Sequence, residues 1–140
     1  YAWFRNNVNT GQITSTFSLS PATSSAAGTY FVRFTESVCG LESQSNSATV
    51  NIVPQPTINL GPDITTCDKS IPLSNAAFSN TPGIVWQILS GSGRFAPNNQ
   101  LTNPTYFPSL ADQISGTVTL SATTVSAGPC ASVSDGITIN

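Results

Sequence analysis

Histidine and methionine are absent from this 140-residue sequence, and Lys69 is its only lysine. Histidine is the usual base that activates a serine or cysteine nucleophile, and one lysine is a thin substitute. Neither a Ser-His hydrolase nor a Cys-His thiol catalyst therefore fits. Charge is also scarce: 7% of residues are Asp, Glu, Lys or Arg, against roughly 25% in an average soluble domain. Long solvated helices, which lean on Glu and Lys, are not expected. The net charge of −2 excludes the basic footprint of a nucleic-acid-binding surface. No apolar run nears the ~20 residues that cross a bilayer, so no membrane insertion is expected. No signal peptide is visible. Opening on Tyr1-Ala2-Trp3-Phe4, the chain reads as a piece cut from a longer protein.

What is present instead is Ser, Thr and Asn, set among short alternating runs. Tyr30, Val32 and Phe34 alternate with Phe31, Arg33 and Thr35. Ala48, Val50 and Ile52 alternate with Thr49, Asn51 and Val53. The same period recurs at Val118, Leu120 and Ala122, and at Ile137 and Ile139. A two-residue period places successive side chains on opposite faces of a strand. Turn residues punctuate the runs at Asn9-Thr10-Gly11, Gly61-Pro62-Asp63, Thr81-Pro82-Gly83, Gly91-Ser92-Gly93 and Gly128-Pro129. Helical periodicity is nearly missing. The best candidate, residues 20–27, lacks an apolar stripe and reads as a loop. Many short strands between regular turns predict an all-β protein of the sandwich or barrel kind.

Val53-Pro54-Gln55-Pro56 is the sharpest boundary, because two nearby prolines remove backbone donors and stiffen an extended linker. It separates residues 1–53 from residues 54–140. The two parts share an order of features: Trp3, Cys39 and the strand from Ala48; then Trp86, Cys130 and the strand from Gly136. The second part also carries Cys67 ahead of its tryptophan, a position that the first part lacks. This repeat predicts tandem modules, the first incomplete at its N-terminus. It also predicts a Cys67–Cys130 disulfide, worth roughly 4 kcal/mol by chain entropy for a loop of that length. Cys39 would then pair with a cysteine upstream of residue 1, or stay as a free buried thiol. A metal site is a poor reading of three cysteines with no histidine and no Cys-x-x-Cys.

The stretch Gly61-Pro62-Asp63-Ile64-Thr65-Thr66-Cys67 resembles the opening of Ig-like/PKD-like repeats in giant Bacteroidetes cell-surface adhesins. So do Trp86, Ser90-Gly91-Ser92-Gly93, Phe95, Thr105-Tyr106-Phe107-Pro108, Asp112, Gly116-Thr117-Val118-Thr119-Leu120, Cys130 and Asp135. Tyr1-Ala2-Trp3, Gly28-Thr29-Tyr30, Cys39 and Ser47 resemble a neighbouring Ig-like repeat type of the same proteins. The gliding-motility adhesins exported by the type IX system are the clearest members. The resemblance covers nearly the whole chain. It implies tandem immunoglobulin-like β-sandwich modules on the cell surface, outside the outer membrane. Their role there would be a multi-repeat filament, with neighbouring repeats as partners and glycans or surfaces as ligands. It implies no catalytic residue. Antibody-type domains place a cysteine two residues after their corner tyrosine. Cys39 stands much farther from Tyr30, so the antibody disulfide pattern does not carry over.

Trp3 and Trp86 are expected in the two cores beside the disulfides, and Tyr30 is expected to make a corner hydrogen bond through its hydroxyl. Tyr106, between Pro104 and Pro108, reads as a residue that could be exposed. The acidic residues are Glu36, Glu42, Asp63, Asp68, Asp112 and Asp135. Their spacing does not bring two carboxylates together for glycosidase chemistry. Asp63, just past the linker, is the one calcium candidate, although Asp in Gly-Pro-Asp more often forms a turn. Asp112, ahead of Gly116, is expected to order a turn at a strand entry. Gly91-Ser92-Gly93 is too short for a phosphate loop. The expected function is a structural and adhesive repeat without enzymatic activity or cofactor. The alternative is a carbohydrate-binding module of a secreted enzyme, which requires exposed, coplanar aromatic rings.

Overall fold

The computed structural model describes residues 1–126 and 128–140. The chain is mostly β, built from small antiparallel sheets that do not close into a barrel. It divides into two compact units, Tyr1–Val53 and Pro54–Asn140.

The first unit is one sheet. Its strands are β1 (Ala2–Arg5), β2 (Val8–Asn9), β3 (Gly28–Thr35), β4 (Glu42–Gln44) and β5 (Ala48–Val50). β1 pairs with β2 on one side and β3 on the other, and β4 and β5 share the far edge of β3. The register sets Trp3 opposite Val32 and Phe4 opposite Phe31, so the two aromatic residues of β1 fall on opposite faces. On one face Phe4 and Phe31 stack with centroids 5.0 Å apart, and the Arg33 guanidinium lies 4.9 Å from the Phe4 centroid. On the other, Phe17 bridges Trp3 and Tyr30 at 5.6 and 5.7 Å. Trp3 is only half-buried, which corrects the expectation of a core tryptophan. One short sheet offers it a single aromatic neighbour, and its indole N–H donates to the Thr14 carbonyl (2.9 Å) in an exposed setting. Tyr30 is buried, and its hydroxyl donates to the Ala26 carbonyl at 2.6 Å, holding the 3₁₀ turn Ser24–Ala26 against the start of β3.

The second unit contains β6 (Thr57–Asn59), β7 (Ile71–Pro72), β8 (Ala77–Ser79), β9 (Ile84–Ser90), β10 (Arg94–Ala96), β11 (Thr105–Phe107), α1 (Leu110–Ser115), β12 (Val118–Thr124) and β13 (Ser134–Ile139). Its sheets run β13-β12-β9, β10-β11-β7 and β6-β8. Val118, Leu120 and Ala122 from β12 join Ile137 and Ile139 from β13, and all five are buried with Trp86, Ile84, Leu60 and Tyr106 in one core. After β6, Gly61 and Pro62 interrupt the ladder, and two carboxylates supply the missing acceptors. Asp135 Oδ2 accepts from Leu60 N and Asp63 Oδ1 accepts from Thr138 N, each at 2.8 Å. A parallel bridge between Ile64 and Ile139 then carries this segment along β13.

The expected Cys67–Cys130 disulfide is not formed. Cys67 follows Thr66, whose N–H donates to the Asn140 carbonyl past the end of β13. Cys130 precedes β13, with its sulfur 3.9 Å from the Pro54 carbonyl. The six residues of β13 thus separate them by about 20 Å, whereas a disulfide needs Cα atoms within about 7 Å. Cys39 is exposed on the connection between β3 and β4, not buried. The one α-helix among the described residues, Leu110–Ser115, lies where no helix is expected from the sequence.

Replacing Tyr30 by Phe removes only the bond to the Ala26 carbonyl, which is left buried without its donor. We expect a loss of about 1 kcal/mol from the first unit in chemical denaturation, with the second unit unaffected.

Candidate functional site

The densest polar chemistry in the second unit gathers around Asp112, beside a cleft of about 320 Å³ lined in part by Thr66, Cys67, Asp68, Gln113 and Asn140. Three local devices place the carboxylate. The first is the α1 capping box. Ser109 is its N-cap, with the hydroxyl accepting from Asp112 N (3.1 Å) while Asp112 Oδ2 accepts from Ser109 N (2.9 Å). Gly116, in the left-handed conformation at φ 73°, ends the helix after six residues. The second is β11, which points the ring of Tyr106 inward; its hydroxyl donates to Asp112 Oδ2 at 2.8 Å. The third is the turn after β9. There Ser92 N donates to Asp112 Oδ1 (2.8 Å), joined by the Ser92 hydroxyl (3.3 Å), and Gly93 N donates to the Tyr106 oxygen (3.1 Å).

This turn can only be built with glycine. A Cβ on Gly93 would stand 2.4 Å from both the Tyr106 hydroxyl and the Phe107 carbonyl oxygen. Gly91 has φ 129°, a conformation that side chains rarely adopt, and lies against Val118 and Asp112. The Gly91-Ser92-Gly93 stretch is therefore a cradle for a buried tyrosine and carboxylate.

Asp112 is 5% exposed and Tyr106 is fully enclosed. Burial acts to raise the Asp112 pKa, but the bonds from Ser109 N, the Tyr106 hydroxyl and Ser92 N outweigh it and hold the group down at about 2, below its ordinary 3.8. Burial, reinforced by donation to the carboxylate, pushes Tyr106 up to about 12. At neutral pH the pair is thus one anion and one neutral phenol. Four hydrogen bonds reach the carboxylate, two on each oxygen, and the tyrosine side chain is buried. The cluster ties β11, α1 and the turn after β9 together.

The other anticipated residues lie elsewhere. Trp86 is 1% exposed and Tyr106 0%, so Tyr106 is a core residue and neither ring faces solvent. Asp63 spends one carboxylate oxygen on β13, and among the described residues no group of three or more His, Cys, Asp or Glu side chains gathers to hold a metal. The sequence does carry a signal for the helix: Ser109-Leu110-Ala111-Asp112 has the Ser-x-x-Asp form of a capping box, with Gly116 at the right distance to end one short helix. No protein-family model matches the chain, and no curated protein matches it in sequence.

The pKa directions set the pH dependence. Asp112 titrates lower in the folded than in the unfolded chain, so its contribution is complete above about pH 4 and disappears as pH falls toward about 2. Tyr106 titrates higher when folded, so its contribution is complete below about pH 10 and disappears as pH rises toward about 12. In Asp112→Asn the acid-side loss between pH 4 and 2 should flatten, and stability at pH 7 should fall by about 2 kcal/mol or more, because an amide presents two donors to a pocket of donors. Urea titrations across that pH range read both. Gly93→Ala should cost about 3 kcal/mol through overpacking against backbone that cannot yield.

Proposed function

We propose that the chain is a pair of structural repeats from a large extracellular surface protein, each an immunoglobulin-like module of the adhesin type that its sequence resembles. In this reading the modules stand in series on the outer surface and hold an adhesive region away from the outer membrane. Their partners are neighbouring repeats, and the ligands of the whole filament are glycans or surfaces. The role is mechanical, so no catalytic machinery or cofactor is required.

The observation that carries the reading is where the polar and aromatic groups go. The convergent donors and acceptors around Asp112 are consumed within the second unit, and Trp86 and Tyr106 are buried in its core. Such an arrangement suits a module selected to stay folded rather than to present chemistry. Two compact units in tandem, joined at a Pro-x-Pro stretch, fit serial use. The carbohydrate-binding alternative loses the two rings that it would need, because a sugar stacks only on an exposed aromatic face.

Stretching the chain between handles tests the proposal. Two separate unfolding events are expected, releasing roughly 180 Å and 300 Å of contour at ~3.4 Å per residue. Unfolding at negligible force, without discrete events, would contradict a load-bearing role.

A further inference from the structure

A cleft of about 400 Å³ opens at the β1–β2 end of the first unit's sheet, a size within the range of small-molecule sites. The less exposed part of its lining is apolar, with Phe17, Leu19 and Tyr30; the exposed part carries Arg5, Asn6 and Asn9. The register explains this mixture. Arg5 pairs with Val8 of β2 and with Tyr30 of β3, so its side chain leaves the sheet on the same face as theirs. Asn6 and Asn7, with φ of 50° and 67°, form the two-residue turn that closes the β1–β2 hairpin.

The polar groups are fixed, and what they leave over is of one kind. The Arg5 guanidinium donates through Nη1 to the Ser25 carbonyl, and its Nε and Nη2 donors have no protein partner among the described residues. Asn6 Oδ1 accepts from Thr29 N (2.9 Å) and Asn9 Oδ1 accepts from Gly11 N (2.7 Å), which leaves both amide nitrogens unspent. Thr10 uses its hydroxyl on the Trp3 carbonyl. No acidic side chain lines the cleft. Glu42 pairs with Thr35, five residues along β3 from the Tyr30 that faces Arg5, a separation of about 17 Å.

The unspent side-chain groups are thus all donors, and one bears a full positive charge. Such a set selects a ligand that is negatively charged and rich in acceptors. A bare inorganic anion would leave the apolar lining uncovered. A peptide carboxylate would bring backbone N–H groups for which these side chains hold no free acceptor. A uronic acid residue supplies a carboxylate, ring and glycosidic oxygens that only accept, and a C–H face for the apolar lining.

We propose that this cleft binds a uronic acid residue of an acidic polysaccharide, with the carboxylate on the Arg5 guanidinium and sugar oxygens on the Asn6 and Asn9 amides. Charge carries the recognition, so no exposed aromatic face is required. The inference gives the first unit a ligand of its own and goes beyond the serial-repeat reading, which the stretching experiment tests separately.

The test titrates the ¹⁵N-labelled full chain with a galacturonic acid trimer and, in parallel, with the methyl ester of that trimer and with a glutamate-rich peptide. The acid should shift the Asn6, Asn9 and Thr10 amides saturably, and the ester should bind roughly tenfold more weakly or worse. Arg5→Gln removes the charge. Asn6→Asp keeps the acceptor for Thr29 N but turns the unspent donor into an acceptor. Each should weaken binding by about tenfold or more while the spectrum stays dispersed. Arg33→Gln, on the opposite face of the sheet, should bind as the parent does. Equal binding of acid and ester would overturn the proposal, as would an absence of saturable shifts at the cleft. Equal losses in Arg33→Gln and Arg5→Gln, or tighter binding of the peptide, would overturn it too.

Discussion

An ionised carboxylate taken out of water loses hydration worth several kcal/mol, and it is tolerated inside a protein only when other dipoles replace the water. Asp112 meets that demand with neutral donors alone: the backbone N–H groups of Ser92 and Ser109 and the hydroxyls of Tyr106 and Ser92. These groups come from three separate places in the sequence, the turn after β9, strand β11 and the first turn of α1. Each must be in position before the charge can be buried. The glycines at 91 and 93, the short helix closed by Gly116, and the depth of the Tyr106 ring all follow from satisfying this one group. With no charged donor among its partners, the cluster depends on geometry. Any donor that drifts leaves part of a charge unsolvated.

The same device recurs in weaker form throughout the chain and accounts for its unusual composition. Many strands here are two to four residues long, so their ladders satisfy only part of the backbone, and the remainder must find partners nearby. Short polar side chains supply them. Asp63 and Asp135 bind the N–H groups of Thr138 and Leu60 where Gly61-Pro62 breaks the strand. Asn6 accepts from Thr29 N, and Asn99 borders the free edge of β9 as a strand would. Asn9, Asn59 and Asn98 each accept from the N–H two residues on, closing turns. Ser, Thr and Asn are thus working parts of the backbone's hydrogen bonding. A chain that uses its carboxylates this way has little need of lysine or arginine.

How much of this was legible in the sequence depended on whether the governing interaction was local. The alternation in β12 and β13 is a local signal, and Val118, Leu120, Ala122, Ile137 and Ile139 are buried as that pattern requires. Tyr30 and Trp86 likewise have burial that their types favour. Trp3 does not, because burial of a large ring depends on how many layers cover it, and one short sheet covers it only in part. Tyr106 departs from its sequence signal in the opposite direction: flanking prolines resemble an exposed loop, while the acceptor that draws its hydroxyl inward, Asp112, lies in a different element. The Cys67–Cys130 expectation rested on the order of features along the chain. Order along the chain says nothing of which end of a strand each residue reaches, and β13 separates the two cysteines. The helical turn at Leu110 was legible but too short to register as a period; its capping residues were the only signal.

The central claim is that the donors around Asp112 open only when the whole second unit opens. Native-state hydrogen exchange of the Ser92, Gly93 and Ser109 amides reads this directly. The account predicts that all three exchange at the rate of the β12 core amides, such as that of Leu120, and share their dependence on denaturant, as groups released only by global unfolding do. Exchange of these three amides orders of magnitude faster than that of Leu120, without dependence on denaturant, would mean that the cluster opens locally and would contradict it.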